Sequence, residues 1–340
     1  MISMPLPFIP LVVAAGAAVA TAVAGKKGHE SYKNMKETKD IAESIEKRYK
    51  NSFNTFDKAR QSTNTQFEKY GELKLNILNG TMKEFISEFK KLKNVDFTDK
   101  TNIDSLEDVS DSKRFMQEIE KQVIAASDLL KSGVSAIAGG GLAAFGALGA
   151  ATTFGAASTG TAIASLSGVA ATNATLAFLG GGSLAAGGLG IAGGMAVLGG
   201  IALAPALALG SVIFAASTKK KLEEMKIQRE EVKVEIEKLN SATSVLQEIK
   251  AYTVKLSDLT TETNNLFGDY IATMSSIINE KGIDYRNFTD DEKLAIRYTT
   301  ELAIILKKLL DTPVIDDNGE RSKTLDDVLK NTEKSIQHMY

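Results

Sequence analysis

Two long stretches of this chain repeat apolar residues at steps of three and four. In the first, His29 to Lys131, Ile41, Ile45, Tyr49, Phe53 and Phe56 are followed by Phe67, Tyr70, Leu78, Met82, Phe85, Phe89 and Leu92. This is the stripe of a long amphipathic helix. Gly71 and Gly80 fall inside it and are expected to interrupt or bend it. The polar segment DFTDKTNIDSLEDVSDSK, Asp96 to Lys113, reads as a connection, and Phe115, Ile119, Val123 and Leu130 mark a second helix.

The second stretch comes after Lys219, Lys220 and Lys221. Met225, Arg229, Val232, Ile236, Leu239, Thr243, Leu246, Ile249, Thr253, Leu256, Leu259, Thr263, Leu266, Tyr270, Met274 and Ile277 keep the same rhythm for more than fifty residues. A stripe of that length needs a partner helix, and the first long helix is the expected one. Gly282 should end it. Thr289 reads as the N-cap of a further helix whose first turn is acidic, and the turn DTPVIDDNGERSK leads to a short last helix. Sustained alternation with period two is absent, so no sheet is expected.

Between these stretches the pattern stops. From Ser132 to Thr218, 87 consecutive residues contain no Asp, Glu, Lys, Arg or His, and they hold 20 of the 28 glycines. A further apolar run, Met4 to Gly25, precedes Lys26 and Lys27; its 22 residues are long enough to cross a bilayer core of about 30 Å as a helix. A signal peptide is disfavoured there, because no basic residue precedes the run and Pro5, Pro7 and Pro10 crowd its start. Lys26 and Lys27 favour a cytoplasmic position for the helical stretch that begins after them. The expected fold is all-α: an elongated bundle of long, coiled-coil-like amphipathic helices flanking a central Gly/Ala-rich apolar helical hairpin block. The domain divisions read as 1–28 for the N-terminal apolar segment, 29–131 and 219–340 for the two halves of a helical stalk, and 132–218 for the apolar block.

Composition removes several kinds of chemistry. With no Cys there is no thiolate nucleophile, thiolate metal site or disulfide framework. The net charge of -2 favours no nucleic-acid partner. Gly188 to Gly193, GLGIAG, matches the dinucleotide pattern G-x-G-x-x-G, yet the segment before it is a poor strand and no acidic residue lies between Asp128 and Glu223 to hold a ribose. His29 and His338 stand at opposite ends of the sequence, Asp290-Asp291 at a helix start and Asp316-Asp317 in a turn. Solvation and capping account for them. No catalytic residue, cofactor or metal is expected, and the chain does not read as an enzyme.

Small residues carry more meaning in the apolar block. Gly182, Ala186, Gly190 and Gly194 form one row four apart, and Gly160, Ala164 and Gly168 another. Such rows form a glycine zipper on which helix backbones approach closely in lipid, although a packed Gly/Ala core in a soluble bundle has the same pattern. Met195 to Ala216 holds ten large apolar residues, Met195, Val197, Leu198, Ile201, Leu203, Leu207, Leu209, Val212, Ile213 and Phe214. At about -0.5 kcal/mol each they contribute roughly -5 kcal/mol towards insertion. Ala136 to Gly160 has only Ile137, Leu142, Phe145, Leu148 and Phe154, about -2.5 kcal/mol, and is marginal alone. One strong segment beside weak ones suits a hairpin stored against its own bundle that inserts on demand, at the cost of hiding a large apolar surface.

Long amphipathic helices around a central apolar segment, over roughly residues 30 to 280, resemble the layout of the α-helical pore-forming toxins of the cytolysin A and tripartite haemolysin types. That resemblance implies a helical stalk, a membrane-inserting head and assembly into a pore. The run from Thr159 to Gly200 also resembles the core of a bacterial glycine-rich apolar-core family with the same PLP-containing N-terminal segment, which implies no established activity. The departures from the toxin layout are a longer, glycine-richer block and no convincing secretion signal. The expected function is conditional membrane insertion and oligomerisation into a pore or leak, as a toxin or a bacterial defence effector acting on the producing cell. The alternative is a membrane-anchored coiled-coil scaffold or sensor that recruits a helical partner protein; a soluble bundle with the block as core also remains open. The expected partners are a lipid membrane and further copies of the chain. The expected location is the bacterial inner membrane, or the cytoplasm before insertion.

Overall fold

The computed structural model of the protein describes residues 26–96, 112–131, 145–147, 218–315 and 321–339. Most of these residues are helical, as the periodicity requires, with no strand among them. The helices are α1 (Lys26–Ile77), α2 (Lys83–Phe89), α3 (Ser112–Lys131), α4 (Thr218–Lys281), α5 (Asp290–Asp311) and α6 (Leu325–Gln337).

Local chemistry sets where the helices stop. Gly71 does not interrupt α1, which runs through it. Gly80 does: it leaves helical geometry at φ -99° and ψ -107° within a π-helical turn, Leu78–Met82, between α1 and α2. Gly282 ends α4 at φ +87°, the left-handed conformation that favours glycine. Thr289 caps α5 through a reciprocal box: its hydroxyl accepts from the Glu292 N–H, and the Glu292 carboxylate accepts from the Thr289 N–H at 2.8 Å.

The chain divides into two compact units, residues 1–61 with 201–246 and residues 62–200 with 247–340. In the first, α1 and α4 run parallel. Ile45, Tyr49 and Phe56 pack with Val232, Ile236, Leu239, Ala242 and Leu246, and Lys226 pairs with Glu37 at 3.8 Å. Burying these eight side chains holds the pair together, at about 1.5–3 kcal/mol for each large one.

In the second unit, the remaining parts of α1 and α4 are also parallel. Lys250 donates to Ser62 at 2.7 Å, and the hydroxyls of Tyr70 and Thr260 lie 3.3 Å apart. α3 and α5 run the other way. Ser127 of α3 donates to Asn79 at 2.7 Å and Lys90 reaches Glu120 at 2.6 Å, while Thr299 of α5 donates to the Tyr270 carbonyl of α4 at 3.3 Å. The core gathers Phe67, Tyr70, Leu78, Phe85, Ile119, Leu256, Phe267, Ile271, Leu306 and Leu310. Thr253, Thr260 and Thr263 are buried in the α4 stripe because each hydroxyl donates to the carbonyl four residues back, which removes the cost of an unpaired polar group.

Candidate functional site

The face of α1 made by Phe67, Tyr70, Gly71 and Lys74 has steps of three, one and three, so these residues share one side of the helix. Onto this face the second unit places Phe145–Gly146–Ala147, a short piece of the charge-free apolar block, with all three residues buried. The contact is unusually close. A Cβ on Gly146 would lie 1.9 Å from the Phe67 carbonyl oxygen and 3.0 Å from the Gly71 nitrogen, and both are backbone atoms of a continuous helix. Glycine at 146 is therefore a steric requirement, and a small residue at 71 keeps the facing surface low.

Two polar anchors flank that approach. The Lys74 ammonium donates to the Phe145 carbonyl at 3.2 Å and lies 4.5 Å and 5.6 Å from the ring centroids of Tyr70 and Phe145. The Ala147 carbonyl accepts from the Val314 N–H at 2.9 Å and from the Ile315 N–H at 3.4 Å, just beyond the end of α5. Phe145 itself is 2% exposed.

Lys74 is fully buried, and desolvation lowers its pKa from 10.5 to about 7, opposed by attraction to Asp311. Asp311 accepts from Gln122 at 2.9 Å and from Lys307 at 2.6 Å, and Lys307 also reaches Glu118 at 3.3 Å. Lys74 thus feels a carboxylate that hydrogen bonds from α3 and α5 also hold. Burial also raises the Tyr70 hydroxyl, which donates to the Leu309 carbonyl at 3.2 Å. This arrangement clamps a chain segment. The lysine is occupied by two rings and a carbonyl of the protein itself.

The residues singled out in the sequence for insertion and packing, Gly160, Ala164, Gly168, Gly182, Ala186, Gly190, Gly194, Met195, Val197, Leu198, Ile201, Leu203, Leu207, Leu209, Val212, Ile213 and Phe214, lie outside the described residues. So do the N-terminal run 1–25 and the pair Asp316-Asp317. Among the described residues no helix is long and apolar enough to cross a membrane, and no group of three or more His, Cys, Asp or Glu could hold a metal ion. His29 and His338 are exposed.

Sequence reasoning missed Lys74 and the Val314–Ile315 backbone. The signal for Lys74 was present: Phe67, Tyr70, Lys74 and Leu78 step by three, four and four, which puts a lysine on a stripe otherwise apolar. No protein-family model, curated protein or solved structure matches the chain.

Proposed function

We propose that the protein stores its glycine-rich apolar block against its own helical bundle and releases it into a membrane, where copies of the chain assemble into a pore or leak. The observation that carries this reading is the clamp on Phe145–Gly146–Ala147. A segment that precedes 71 further charge-free residues, 148–218, is held by one buried lysine, two backbone N–H groups and a glycine contact.

Release would leave Lys74 in water, where its charge is fully solvated, and would free the block to insert. Met195 to Phe214 is the spanning segment in this reading, with the rows Gly182, Ala186, Gly190, Gly194 and Gly160, Ala164, Gly168 packing helix against helix. The resemblance in layout to the α-helical pore-forming toxins supports the same order of events. The reading makes the protein a toxin-like or defence effector of the bacterial inner membrane rather than an enzyme, with lipid and its own copies as partners.

The chain has no native cysteine, so one engineered pair tests the clamp cleanly. Ala147→Cys with Val314→Cys, at backbones joined by a hydrogen bond, should lock the segment when oxidised. Liposomes loaded with a self-quenched dye should stay sealed with the oxidised protein and leak when reductant is added. Equal leakage in both states would show that this clamp does not restrain insertion. No leakage from the reduced protein or from wild type would remove the pore reading and favour the anchored scaffold or a soluble core.

A further inference from the structure

The parallel pairing of α1 and α4 has a consequence at one end of the first unit. With Glu37 level with Lys226, Thr218 at the start of α4 stands level with His29, three residues into α1. The two helices therefore begin within about one turn of each other along the pair. Each is the direct continuation of an apolar sequence, Met4 to Gly25 in one case and Met195 to Ala216 in the other.

Charge is concentrated at this end. Residues 26–36 and 218–221 together contain seven lysines, Lys26, Lys27, Lys33, Lys36, Lys219, Lys220 and Lys221, against the single carboxylate Glu30. Further along, Glu37 and Glu223 pair with Lys226, and Glu230 with Arg229 and Lys233, so the excess does not continue. Lys33, Lys36, Lys219 and Lys220 are exposed. Among them stand two exposed apolar side chains, Tyr32 at 69% and Met35 at 44%, and Tyr32, Met35 and Lys36 share a helix face. A tyrosine and lysines flanking apolar sequence are the side chains found at the headgroup level of a bilayer.

We propose that the paired beginnings of α1 and α4 form a docking surface for anionic phospholipid headgroups. The partner is identified by charge complementarity and by the two apolar sequences that leave from the same end. A headgroup plane there meets the lysines of both helices, with Tyr32 and Met35 exposed among them. The inference rests on the proposed membrane function, and it adds a lipid class and an orientation: the two-helix end faces the bilayer.

The test is flotation of the full chain with vesicles of phosphatidylcholine alone and of phosphatidylcholine with phosphatidylglycerol, with dye release recorded in the same samples. Wild type is compared with a variant carrying Lys33→Gln, Lys36→Gln and Lys219→Gln, whose circular dichroism should match wild type because the three side chains are exposed. Partitioning onto anionic vesicles should fall about fivefold per lysine removed, hence by about two orders of magnitude in the variant. High salt should weaken wild type in the same direction. Equal partitioning of wild type onto neutral and anionic vesicles, or a variant that binds like wild type, would overturn the docking surface. Dye release in that case leaves the insertion reading standing, whereas neither flotation nor release with either vesicle overturns both.

Discussion

Replacing Lys74 by Met tests whether a desolvated lysine sets the stability of the clamp. Burial takes the folded-state pKa from 10.5 to about 7, a difference of about 3.5, and at about 1.4 kcal/mol for each the charged form is disfavoured by about 5 kcal/mol. Between pH 7 and 10.5 the unfolded chain carries a proton on this lysine that the folded protein has lost. Stability therefore rises with pH across that window; below about pH 7 both states are protonated and the deficit is at full size. From pH 6 to pH 9 the gain works out at about 2 to 3 kcal/mol. Methionine fills similar volume without a charge, and Asp311 keeps its bonds to Gln122 and Lys307. The variant should be more stable than wild type at pH 6, and the difference should shrink by pH 9. Urea titrations followed by far-ultraviolet circular dichroism at both pH values give the numbers, and the difference between wild type and variant cancels the contributions of every other titrating group. Dye release should carry the same sign, increasing in wild type from pH 9 to pH 6 and flattening in the variant. Parallel pH dependences for the two proteins would show that Lys74 keeps its ordinary pKa, and the desolvation argument would fall.

Two other expectations come from the fold. Gly146→Ala places a methyl group where the Phe67 carbonyl stands, so the segment must lift; losing Phe145 burial alone costs about 2 to 3 kcal/mol, and the pH dependence assigned to Lys74 should vanish in the same urea series. Spin labels at His29→Cys and Lys219→Cys should report a short separation, close to the helix spacing of about 10 Å plus the label arms. An antiparallel pair would instead set them apart by much of the length of α1, whose 52 residues extend about 78 Å, and that result would refute the register on which the lipid surface depends.

Much of the fold was legible in the sequence because it depends on residues close together along the chain. The stripe from Val232 to Ile277 is buried almost throughout, Gly282 ends its helix, and Thr289 caps the next. Gly71 was misjudged for an instructive reason. A glycine weakens a helix by only about 1 kcal/mol, and the packing of Phe67 and Tyr70 beside it offsets that. At Gly80 the helix gives way to a π-helical turn even though Leu78 and Met82 on either side are buried in the same core.

By itself the sequence determined that the chain makes long amphipathic helices, where several of them start and stop, and that all charge is excluded from 132–218. Those properties arise from side-chain period, capping and composition, each read over a few residues. Only the tertiary structure decided that α1 and α4 run parallel, since an apolar stripe looks the same whichever way its partner points. Tertiary structure alone also brought Lys74 to Phe145, 71 positions away, and so turned an ordinary surface-type residue into a desolvated one. A pKa responds to the solvent and charges around the group, and that surrounding is assembled by the fold.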